Sequence, residues 1–133
     1  ILGYWGGMIG EGATSFWEKY NPADQGAEHL AMYGRPYGKS LCHAWGASPI
    51  YLIGRYFLGV SPTKPGYAEY EVRPVLGGLK RMQGSVPTPF GEVRVKMDVT
   101  SVSVKSDGGK GVLVLGDRKY DIPVGKELRI DRF

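Results

Sequence analysis

Cysteine occurs once in the 133 residues, at Cys42, and histidine twice, at His29 and His43. A single thiol excludes an internal disulfide framework and a thiolate-rich zinc site. The three nitrogen and sulfur donors show no zinc spacing, so no metal and no cofactor are expected. No apolar run approaches the roughly 18 residues that cross a bilayer as a helix, and no membrane partner is expected. Basic residues outnumber acidic ones only 17 to 13. They alternate with Val and have no aromatic platform among them, which describes a solvated sheet face rather than a nucleic-acid surface. Gly10-Glu11-Gly12 lacks the third glycine and the βαβ setting of a dinucleotide fingerprint. Gly108 to Gly111 reads as a hairpin turn between two strands. The chain opens on Ile1 rather than Met, with neither basic leader nor cleavage site. It is expected to be a piece of a longer protein.

Glycine is abundant: 21 of 133 residues, about twice ordinary usage. Without a Gly-X-Y period these glycines report turns and close backbone approaches. Composition then changes sharply near Gly59. Residues 1–58 hold eleven of the sixteen aromatics, all three Trp, both His and four groups of each charge. Residues 59–133 hold thirteen basic and nine acidic groups, and seventeen Val, Ile and Thr against five before. The chemistry of the two parts implies two structural units.

The joint, GVSPTKPG at 59–66, combines φ-fixing prolines with turn glycines and reads as a stiff surface linker. Before it, residues 41–59 read as a helix, with Ser40 as N-cap, Ile50, Ile53 and Phe57 at helical spacing, and Gly59 at the C-terminal cap. Pro49 should kink that helix or restart its first turn. Cys42 and His43, as helix neighbours, would face apart, and Cys42 is expected buried under aromatics. Residues 1–10 read as the end of an earlier helix. After the joint the period becomes two, at 69–72, 93–97 and 99–104, with turn residues at the spacing of an antiparallel β-sandwich.

One carboxylate stands out. Glu18 lies in SFWEKY among Phe16, Trp17 and Tyr20. Sugar rings stack on aromatic faces, and an ionised carboxylate activates water or bonds hydroxyls. Burial would raise its pKa, so a base here needs polar support to remain charged. On pattern alone the plainer reading is an amphipathic helix end with an exposed Glu.

Three stretches change that balance: YWGGMIGEGATSFWEKYNP, KSLCHAWGASPIYLIGRYFLGVSPTKPGY and GSVPTPFGEVRV. They resemble, in order, the C-terminal end of the α-L-rhamnosidases of glycoside hydrolase family 78. The GAT-x-x-WE signature stands at Gly12, Ala13, Thr14, Trp17 and Glu18, and the S-x-x-H-x-W-G-A signature at Ser40, His43, Trp45, Gly46 and Ala47. The resemblance covers residues 4–97 and extends more loosely beyond. It implies an α+β fragment: the last helices of an (α/α)6 toroid over 1–58, a linker over 59–66, and an antiparallel β-sandwich over 67–133. It implies inverting, metal-free hydrolysis of α-L-rhamnosides, with Glu18 as general base and His43 bonding the rhamnose. Trp17 and Trp45 match motif aromatics and become candidate sugar-binding residues. The partner would be a rhamnose-containing oligo- or polysaccharide, met by a full-length parent whose N-terminal catalytic portion supplies the general acid. The fragment by itself is expected to be inactive. A periplasmic or exported parent is slightly favoured over a cytoplasmic one. Two alternatives stand beside this reading: a carbohydrate-binding or purely structural sandwich, poor in aromatics after Gly59, and a toroidal glycosidase for another sugar.

Overall fold

The computed structural model describes residues 2–131. The chain divides into two compact units, Ile1–Tyr51 and Leu52–Phe133.

The first unit opens with helix α1, Leu2–Gly10, which ends where Gly12 takes φ +83°. Glycine, proline and Asx turns then prevent further regular helix: the Asn21 carbonyl oxygen accepts from Ala23 N–H at 3.2 Å and its amide donates to Asp24. A 3₁₀ turn, Gly26–Leu30, follows. The chain then returns beside its own loop, with Glu18 N–H donating to Ser40 O at 2.9 Å and His43 N–H to Phe16 O at 2.8 Å. Side chains of α1 secure both passes: Trp5 Nε1 donates to Gly46 O at 2.9 Å, and Tyr4 Oη accepts from Tyr20 N–H at 2.8 Å.

The continuous helix expected from residue 41 is not what forms. A 3₁₀ turn, Ala44–Ala47, leads into helix α2, Ser48–Leu52, and a π-helical turn, Ile53–Phe57. Pro49 sits in the first turn of α2, where an absent N–H breaks no helical bond. The cap position before the 3₁₀ turn belongs to His43, in extended conformation, not to Ser40, whose backbone bonds Glu18 instead. Cys42 is exposed on the loop, correcting the expectation of a buried thiol. Gly59, at φ +76°, closes the helical run, and a side chain there would collide with the Arg73 carbonyl.

The second unit holds eight strands: β1 Val60–Pro62, β2 Glu69–Val72, β3 Arg81–Thr88, β4 Gly91–Asp98, β5 Ser101–Ser106, β6 Lys110–Leu115, β7 Arg118–Ile122 and β8 Glu127–Asp131. They form two four-stranded sheets in the orders β1-β2-β6-β7 and β3-β4-β5-β8. Alternation gives each strand one inward row, and those rows share one core. Val60, Tyr70, Val72, Leu113 and Ile122 come from the first sheet, Val93, Val95, Met97, Val102 and Val104 from the second. Leu58 joins this core and Ile53 packs against it, so the end of the helical run belongs to the sandwich by packing.

Three details depart from the sequence pattern. Residues 60–62 of the expected linker are strand β1, with Val60 only 1% exposed. The pairing of β2 with β6 is parallel, so the sandwich is antiparallel-rich rather than wholly antiparallel. The glycines at 108–111 are not a hairpin turn, because β5 and β6 lie in different sheets. There the chain crosses over close to Tyr70, and a Cβ on Gly111 would run into that ring.

Candidate active site around Glu18

Glu18 lies on the loop after α1, not at a helix end, and its side chain is only 5% exposed. The two passes of backbone that pair Phe16 and Glu18 with His43 and Ser40 turn the carboxylate toward groups that hold its charge. Oε2 accepts from Ser40 N–H at 3.1 Å, and His43 Nδ1 stands 3.8 Å from the same oxygen. Oε1 accepts from the Tyr33 hydroxyl. The bond from Tyr33, followed by the Ser40 amide, lowers the pKa of Glu18 below its ordinary value. His43 and Lys39 add smaller electrostatic contributions in the same direction, against the upward pull of burial. The polar support that a buried base requires is therefore present.

Tyr33 reaches Glu18 from a tight turn. Met32 and Arg35 exchange backbone bonds of 3.0 Å, and the two residues between them, Tyr33 and Gly34, take φ +55° and +71°. Two successive positive φ values are the signature of a type I′ turn. Lys39 is 7% exposed, its Nζ lies 5.9 Å from the Trp17 ring centroid, and it has no hydrogen-bond partner among the described residues. It contributes charge rather than a bond.

Of the residues singled out by sequence, Glu18, His43 and Trp45 come together. The Trp45 indole donates to Glu18 O at 2.9 Å, and its ring lies 4.2 Å from that of His43, tilted by 39°. Trp45 is 66% exposed and offers a face. Trp17 is buried, its ring engaged by Lys39 and by His29 at 6.0 Å. Tyr33 and Lys39 were invisible to sequence reasoning. A Tyr-Gly pair and a Lys beside a serine are ordinary, and only the paired backbone passes bring them to Glu18.

The comparisons with known proteins agree with the fold. Residues 59–107 match the family model of the bacterial α-L-rhamnosidase C-terminal domain. An α-L-rhamnosidase of Alteromonas sp. (strain LOR) is 34% identical over 105 residues, covering 73% of this chain and 10% of that protein. The chain thus spans about a tenth of the length of the curated relative it matches. The Streptomyces avermitilis α-L-rhamnosidase, solved with L-rhamnose, superposes with a TM-score of 0.66 at 16% identity, over 94% of this chain and 14% of that one. The Dictyoglumus thermophilum α-L-rhamnosidase gives 0.59 at 22% identity, over 96% and 16%. These structural matches carry the fold, while the family model and the Alteromonas relative carry the kinship in sequence. Residues 59–107 thus carry the bacterial α-L-rhamnosidase C-terminal domain, and the matches together support a segment from the C-terminal part of an α-L-rhamnosidase.

Proposed function

We propose that this segment serves an inverting α-L-rhamnosidase, with Glu18 as the general base. The observation that supports this best is a carboxylate only 5% exposed that is nonetheless kept ionised by the Tyr33 hydroxyl and the Ser40 amide. In an inverting hydrolysis a carboxylate takes a proton from water as the water oxygen bonds the anomeric carbon. A carboxylic acid on the opposite face protonates the departing glycosidic oxygen, the two standing about 6.5–9.5 Å apart. Glu18 suits the first role, and the second falls to a carboxyl group outside these residues. His43 and the exposed ring of Trp45 serve as sugar contacts, while buried Trp17 supports the loop beneath. Residues 1–58 are read as the end of an (α/α)6 toroid, with 59–66 as its exit and 67–133 as a sandwich that stabilises the enzyme rather than binding polysaccharide.

The test uses an α-L-rhamnosidase that contains this segment. Glu18→Gln should lower kcat on an aryl α-L-rhamnoside by at least about 100-fold, the usual worth of general-base catalysis. Azide should rescue Glu18→Ala and yield the β-configured glycosyl azide. Undiminished turnover by Glu18→Gln would remove the assignment.

A further inference from the structure

The carboxylate of Glu18 is held from both ends, and the two holds differ in kind. At Oε2 the donor is the Ser40 backbone N–H, which any side chain at that position would supply. At Oε1 it is a side-chain hydroxyl, delivered by a residue in a conformation that L-amino acids with bulky side chains rarely adopt. An aromatic residue at φ +55° is strained where Asn, Asp or Gly would sit easily. The ring at this turn is itself mostly exposed, at 69%, so burial of the ring does not account for it. Its hydroxyl is bonded to Glu18.

We infer that Tyr33 is a positioning residue for Glu18, orienting the carboxylate and stabilising its charged form through the hydroxyl on a strained two-residue turn. The inference rests on the reading of Glu18 as the base. The direction of titration agrees with the geometry: the same bond pulls Glu18 down and pushes the Tyr33 hydroxyl up. The other groups acting on the carboxylate are the Ser40 amide, His43 and Lys39. None of these replaces a donor at Oε1.

Tyr33→Phe removes only the hydroxyl and keeps the ring on its turn. In an α-L-rhamnosidase containing this segment, the acidic limb of kcat/KM should move to higher pH, because the charged carboxylate loses a hydrogen-bond donor. KM on the plateau should stay within about twofold. In the 133-residue chain labelled with ¹³C at the Glu carboxyls, the Glu18 midpoint should likewise rise. A purely structural role would lower kcat/KM equally at every pH and leave the limb in place. A role of the ring in stacking on sugar would leave Tyr33→Phe like wild type and damage only Tyr33→Ala. Either result, or an unmoved Glu18 midpoint, overturns the inference. Glu18→Gln separates the two levels. If it is inactive while the Tyr33→Phe profile is unchanged, the inference about Tyr33 fails alone. If Glu18→Gln turns over normally, the base assignment fails and takes the inference with it.

Discussion

Individual residues around Glu18 trade packing for charge. Lys39 is the clearest case: an ammonium buried without a hydrogen-bond partner among the described residues, near the Trp17 ring and close enough to Glu18 to lower its pKa. A buried unpaired polar group costs folding free energy, so its presence beside the proposed base reads as stability given up for function. Lys39→Met should therefore raise the Glu18 titration midpoint, by less than Tyr33→Phe does, because the charge acts more weakly than the bond. The melting temperature at neutral pH should stay level or rise. A marked fall in melting temperature would show instead that Lys39 holds the loop together. Sequence reading singled out Glu18, His43 and Trp45 because they match the motif positions of the family they resemble. It could not find Tyr33 or Lys39, since nothing local to either announces a carboxylate fifteen or more residues away.

At the level of elements, sheet periodicity was legible and helix continuity was not. The inward rows of β2, β4 and β5 follow from simple alternation of apolar and polar residues. The run from 41 to 58 has helical spacing but breaks into 3₁₀, α and π turns, and Pro49 marks the restart. Turns also carry their own electrostatics. Asp98 Oδ1 accepts from Thr100 N–H and Oγ1, both at 2.7 Å, and from Ser101 N–H at 2.8 Å, closing the β4–β5 connection. These bonds depress its pKa from 3.8 to about 2, the Thr100 hydroxyl contributing most. A folded pKa below the unfolded one means stability that is fully present above about pH 4 and lost as pH falls through about 2. Asp98→Ala should thus lower the urea midpoint of unfolding at pH 6, with the gap to wild type narrowing between pH 4 and pH 2. A gap of constant size across that range would refute the role of the ionised carboxylate.

The whole chain joins two units of different chemistry, a loop-rich aromatic part and a β-sandwich. Glu18 offers one carboxylate where inversion needs two, so the 133-residue chain should release no detectable aglycone from an aryl α-L-rhamnoside. Turnover by the purified chain would defeat the two-carboxyl scheme. The sequence by itself determined the change of chemistry near Gly59 and the period-two strands, because these are local patterns of burial and turn formation, whereas the motif residues stood out only through the family resemblance. Tertiary structure alone decided that Leu58 and Val60 enter the sandwich core, that β2 runs parallel to β6, and that the glycines at 108–111 carry the chain between sheets. It also decided that a tyrosine on a strained turn and a backbone amide close on Glu18. Such outcomes depend on which distant segments meet, and the balance of desolvation against hydrogen bonds at a carboxylate exists only once they have met.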